Sequence, residues 1–198
     1  NDFVRSFWDK KFESIPLGTY AETNHTLAKC GLVENIVLHN RSENTILIVL
    51  RRDIVSQCVS YLTRNDFGNI TLAWQWYLHP SYLKKIVNPE PFFKFGVVGL
   101  PLWYCYEMAA RQEYYLQKFS AKVQMVEVTL ENAITDIGAN QLYNNLGFRG
   151  NVTIPPKKNA NASVPNAQLT DTIRNITSKI NADMSQLVSD AIKARFSF

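Results

Sequence analysis

An α/β fold with a parallel sheet is the class this sequence predicts, and three observations predict it. Residues 45–50 (TILIVL) are an apolar, β-branched run without polar alternation, the pattern of a parallel strand covered on both faces. Residues 123–128 (VQMVEV) form a second strand-like run. Segments of helical periodicity precede and follow both, so helices and strands alternate along the chain.

The elements follow in order. Residues 1–15 carry Phe3, Phe7, Trp8, Phe12 and Ile15 near helical spacing and predict an amphipathic helix, which Pro16-Leu17-Gly18 ends. A helix over 28–38 and a polar turn over 39–44 lead into the first strand. Asp53 is placed to cap the next helix, whose apolar face holds Ile54, Cys58, Tyr61 and Leu62. Residues 64–99 are loop-rich and aromatic, punctuated by Gly68, Pro80, Pro89, Pro91, Gly96 and Gly99. A long helix over 101–119 has Pro101 at a tolerated early position. The second strand leads into a helix over 131–146. Residues 151–168, rich in Pro, Asn, Ala and Lys, predict an extended segment. Residues 169–196 predict a final amphipathic helix through Ile173, Ile176, Ile180, Met184, Leu187, Val188 and Ile192. Residues 1–150 thus make the body of one domain, and 151–198 its crossover segment and last helix.

Composition narrows the function classes. The chain has 198 residues, of which 46% are hydrophobic and 19% charged, ordinary values for a globular protein with its own core. The net charge of +4 suits an anionic ligand and lacks the basic clusters of a nucleic-acid binder. No apolar run reaches the length of a membrane span. The chain opens on Asn1 without Met, as a processed or partial product does. Cys30, Cys58 and Cys105 allow at most one internal disulfide, show no zinc spacing, and leave no metal site expected. Cys58 reads as a buried free thiol within its helix. Six N-x-[ST] sequons stand at Asn24, Asn40, Asn69, Asn151, Asn161 and Asn175. They predict a secretory-pathway glycoprotein, in the Golgi lumen or outside the cell, although a chain rich in Asn and Thr also generates sequons by chance.

The chemistry-bearing stretch is residues 45–62. Arg51 and Arg52 close the apolar run, Asp53 opens a helix, and Ser60 lies eight residues after Arg52. A guanidinium at the end of a strand, with a hydroxyl two turns along the next helix, is a natural phosphate holder. A one-residue shift in strand register puts Arg51 in that role instead.

This spacing resembles the 3′-phosphate-binding segment of the sulfotransferases that use 3′-phosphoadenosine 5′-phosphosulfate (PAPS). In that pattern an apolar strand ends on an Arg, and a Ser followed by an aromatic comes eight residues later; here these are Arg52, Ser60 and Tyr61. The family often has Pro two residues after the Arg, where this chain has Ile54. Residues 123–128 followed by Leu130, Glu131 and Asn132 resemble the family's late strand and its Tyr-Glu-Asp turn, with Glu131 kept and the flanking residues changed. Leu146-Gly147 resembles the Leu-Gly pair that closes the following helix, and residues 20–25 the end of an earlier strand. The resemblance covers roughly residues 18–148.

The resemblance implies a three-layer αβα, P-loop-nucleotide-hydrolase-like domain, incomplete at its N-terminus. The family's Gly/Ser/Thr-rich 5′-phosphosulfate loop and the catalytic base beyond it have no counterpart here. That front part lies on a companion fragment, lies outside this sequence, or has been lost. Completed by such a segment, the chain is implied to be a sulfotransferase acting on a glycan or protein hydroxyl, with PAPS as donor; alone it is expected to be inactive. Arg52, Ser60 and Arg51 are the implied nucleotide-binding residues. Lys157 and Lys158 are weaker candidates near the 3′-phosphate by position only, and solvated surface charge is the better reading of them. His25 is the one weak catalytic candidate, lining the acceptor site or touching the leaving sulfuryl group, and a hydrogen-bonded core or loop histidine is the commoner role. Glu131 reads as an early-helix carboxylate favoured by the helix dipole. The alternative is a secreted, glycosylated module that keeps the fold without catalysis, and a glycan on Asn24 would favour it. A P-loop kinase is set aside because neither Walker element is present.

Overall fold

The computed structural model describes residues 2–23, 29, 31–68, 78–156, 166–180 and 182–194. It is a mixed α/β structure, mostly helical, built on one small parallel sheet. Strand β1 (Ile46–Arg51) pairs with β2 (Gln124–Thr129), from Ile46 opposite Gln124 to Arg51 opposite Thr129. Strand side chains alternate, so Leu47, Val49 and Arg51 share a face with Met125, Glu127 and Thr129. Ile46, Ile48 and Leu50 share the other with Gln124, Val126 and Val128. Residues 20–23, the expected end of an earlier strand, have no strand structure.

Among the described residues, five α-helices precede the second strand. Four are α1 (Asp2–Ser14), α2 (Leu32–Ile36), α3 (Ile54–Thr63) and the short α4 (Glu90–Phe93). A fifth, α5 (Gly99–Phe119), is the axis of the core. Thirteen of its 21 residues are buried, so it is surrounded by protein on nearly every side. It begins two residues earlier than the sequence predicts, because Gly99 lets its first turn lie against the backbone of Phe92. It also covers the first sheet face: Gln112 Nε2 donates to the Leu50 carbonyl at 2.9 Å, and Glu113 reaches Arg51.

The other sheet face departs from expectation. Val126 and Val128 are buried, but Ile46, Ile48 and Leu50 are 37%, 48% and 48% exposed. A strand expected to be covered on both faces is covered on one. The helices after β2 pack against β2 and leave the outward residues of β1 half open.

Helix boundaries differ from the sequence pattern wherever a local cap competes with continuation. The helix expected over 131–146 is two: α6 (Leu130–Ala133) and α7 (Asp136–Asn145). Thr135 separates them, its hydroxyl accepting from Gly138 N at 3.0 Å to start α7. The final helix is likewise two: α8 (Ala167–Thr177), capped by Asn166, and α9 (Met184–Lys193), capped by Asp183. Their apolar faces still match the expected stripe. Ile173 and Val188 are fully buried, with α8 against α3 and α9 against α5.

The loop-rich stretch is held by buried charge. Glu107 and Arg111, one turn apart on α5, are both fully buried, and Arg111 Nε donates to Glu107 Oε1 at 2.8 Å. Glu107 Oε2 accepts from the backbone N–H groups of Ile86 and Val87 at 2.9 and 2.8 Å. Arg111 Nη2 donates to the Lys84 carbonyl at 3.1 Å, and Trp103 Nε1 to the Val87 carbonyl at 2.8 Å. The arrangement fixes residues 84–87 on the helix and satisfies backbone groups that a buried loop otherwise leaves unpaired.

Candidate functional site

The site is assembled where both strands end. β1 terminates at Arg51 because Arg52 leaves the sheet and Asp53 turns the chain into α3. Asp53 Oδ2 accepts from Ser56 N at 2.7 Å, a charge-assisted cap. Burial pushes the Asp53 pKa up, but the bonds from Ser56 and Val55 and the charge of Arg174 outweigh it and leave it lowered. Across the sheet, Glu131 Oε1 accepts from Asp53 N at 3.4 Å. Glu131 therefore ties the turn after β2 to the turn after β1.

The two adjacent arginines have different surroundings. Arg51 lies in the strand and its guanidinium points toward α5. Its Nη2 is 2.7 Å from Glu113 Oε2 and 2.6 Å from Glu127 Oε2. Partial burial pulls its pKa down, and the two carboxylates overcompensate, so the net shift is upward. Glu113 is lowered in turn by the bond from Arg51, then by that from Gln117. Arg51 is thus neutralised within the fold. Arg52 is exposed at the open end of the sheet, and no bond or ion pair holds it among the described residues. Of the two arginines, Arg51 is paired with carboxylates and Arg52 is the exposed one.

Ser60 lies seven residues beyond Asp53, two turns up the same side of α3, roughly 10 Å along the axis. Nothing joins it to Arg52. Its hydroxyl accepts from Arg64 Nη1 at 2.7 Å, and Arg64 also pairs with Asp66 at 2.6 Å and lies over the Tyr61 ring at 5.4 Å. The proton of Ser60 remains free to donate, since accepting from Arg64 uses only a lone pair. Arg64 is a residue the sequence reading missed. Its i, i+4 spacing from Ser60 was the available signal.

An anion arriving here meets the Arg52 guanidinium and not a bare helix end. The Asp53 carboxylate already occupies the N-terminus of α3 and disfavours a second negative charge there. Two clefts flank β2 and α7, and neither includes Arg52. One, about 240 Å³, is polar, bounded by Glu127, Thr129, Asn132, Gln141 and Asn145. The other, about 650 Å³, is apolar and lies between α7 and residues 152–156.

His25, Lys157 and Lys158 lie outside the described residues, as do Asn24, Asn69 and Asn161. Asn40, Asn151 and Asn175 are exposed, Asn175 on α8. Among the described residues no cluster of His, Cys, Asp and Glu is suited to a metal ion, and no helix is long and apolar enough to cross a membrane. The chain matches no family model, no curated protein and no solved structure.

Proposed function

We propose that this chain is the 3′-phosphate-binding portion of a PAPS-dependent sulfuryl transfer domain, with Arg52 as the phosphate clamp and Ser60 as an auxiliary donor. The observation that carries the reading is the position of Arg52. It is an exposed guanidinium at the carboxyl end of a parallel strand, where open α/β sheets bind their ligands, while its neighbour Arg51 is consumed by Glu113 and Glu127. The half-open outer face of β1 supports the finer fold reading, in which the sheet belongs to a larger P-loop-like αβα domain. In that reading a companion N-terminal segment supplies the 5′-phosphosulfate loop and the base. The acceptor is then a glycan or protein hydroxyl, and the compartment is the Golgi lumen or the exterior.

The test is calorimetric titration with adenosine 3′,5′-bisphosphate, using adenosine 5′-monophosphate as the control lacking the 3′-phosphate. Binding should favour the bisphosphate. Arg52→Ala should weaken it about 10- to 100-fold, the worth of a charged hydrogen bond. Equal affinity in the variant overturns the role of Arg52. A second reading, a secreted glycosylated module without catalysis, is favoured by the exposure of Asn40, Asn151 and Asn175 and by the engagement of Ser60 with Arg64. No affinity for the bisphosphate, with glycan on these asparagines, selects it.

A further inference from the structure

Two cysteines distant in sequence meet where α3 packs on α5. Cys58 is fully buried and Cys105 is 1% exposed. Both are free thiols on helices that pack directly on each other, and each lies within interaction range of the other. The helices are held in this register by rings on the same interface: Tyr61 meets Tyr104 edge-on at 5.8 Å, and Phe67 lies 5.5 Å from both. The thiols are therefore adjacent by construction of the core. We propose that Cys58 and Cys105 form a disulfide that links α3 to α5 when the chain folds in the presence of a small-molecule disulfide oxidant. The proposal is independent of the nucleotide reading.

The chemistry is thiol–disulfide exchange with an oxidant such as oxidised glutathione. The Cys58 thiolate attacks one oxidant sulfur, forming a mixed disulfide and expelling one glutathione thiolate. The Cys105 thiolate then attacks the Cys58 sulfur, closes the protein disulfide and expels the second. The two protons lost by the cysteines end on the two glutathiones, and the oxidant takes up the two electrons. The exchange belongs to folding and not to the finished structure. Burial, then the neighbouring Cys58 thiol, pushes the Cys105 pKa up, and a buried protonated thiol is a poor nucleophile. Once formed, the bond is shielded from reductant by the same burial.

The experiment is to refold the full chain in a reduced/oxidised glutathione buffer and, in parallel, in dithiothreitol. Free thiols are alkylated under denaturing conditions, and non-reduced peptides are mapped. The expected map has a Cys58–Cys105 cross-linked peptide and an alkylated Cys30. The oxidised protein should melt about 10 °C above the reduced one, as closure of a long loop implies. That difference should vanish in Cys58→Ala and Cys105→Ala and persist in Cys30→Ala. The map on the unaltered chain decides the matter even where a variant folds poorly. Alkylation of both Cys58 and Cys105, or a cross-link from either to Cys30, overturns the proposal.

Discussion

Glu107 and Arg111 bond at 2.8 Å with neither side chain exposed to water, and between them they hold three backbone groups of residues 84–87. Each charge makes the other tolerable in the core. Removing one leaves the other desolvated and unpaired, which costs about 3–5 kcal/mol. Glu107→Ala or Arg111→Ala should lower the unfolding free energy measured by urea titration by that amount. The double variant Glu107→Ala/Arg111→Ala should lose less than the sum of the single losses. Additive losses would show that the pair is not coupled.

The contrast between Arg51 and Arg52 gives a paired prediction. Arg51→Ala removes contacts to two carboxylates and should cost about 1 kcal/mol, modest because the network is partly exposed. Arg52→Ala, exposed and off the strand, should change stability by less than about 0.5 kcal/mol. Chemical denaturation of both variants distinguishes a structural cation from a ligand-binding one.

Acid should weaken the fold through the same network. Arg51, followed by Gln117, holds Glu113 below the usual carboxylate range, and Asp53 is lowered as well. A carboxylate depressed in the folded state contributes stability that is complete above its unfolded pKa, about 4.3 for Glu. That contribution fades as pH falls through the lower folded value. The urea midpoint should therefore drop below about pH 4, and Glu113→Gln should flatten the drop. An unchanged acid limb in that variant would remove Glu113 from the explanation.

Gly99 should tolerate no side chain. A Cβ there would stand 2.2 Å from the Phe92 carbonyl oxygen, which is backbone and cannot swing away. Gly99→Ala should cost about 2 kcal/mol, near the middle of the overpacking range. For a chain of this size that is a fall in melting temperature of roughly 5 °C. Gly18→Ala is not a suitable control, because its φ of +108° strains any side chain.

Features set by neighbours in sequence were legible in the sequence. The Asp53 cap, the long helix after the aromatic loop, the two strands and the apolar stripe of the last helices follow from adjacent residues and their period. The breaks at Thr135 and between α8 and α9 were missed, although their capping residues were visible. A continuous apolar stripe cannot show where a cap interrupts the backbone it runs along.

By itself the sequence determined the two paired strands, the main helical segments and that one arginine follows another at the end of the first strand, since propensity, capping and periodicity act over a few residues. Only the tertiary structure decided which arginine is spent. That depends on the side of the pleat facing α5 and on Glu113, 62 residues away, being there to meet it. The same holds for the contact between Cys58 and Cys105, the buried Glu107–Arg111 pair and the half-open face of β1. Each is fixed by the packing of elements distant in the chain, where burial makes a neighbour's charge or its absence count most.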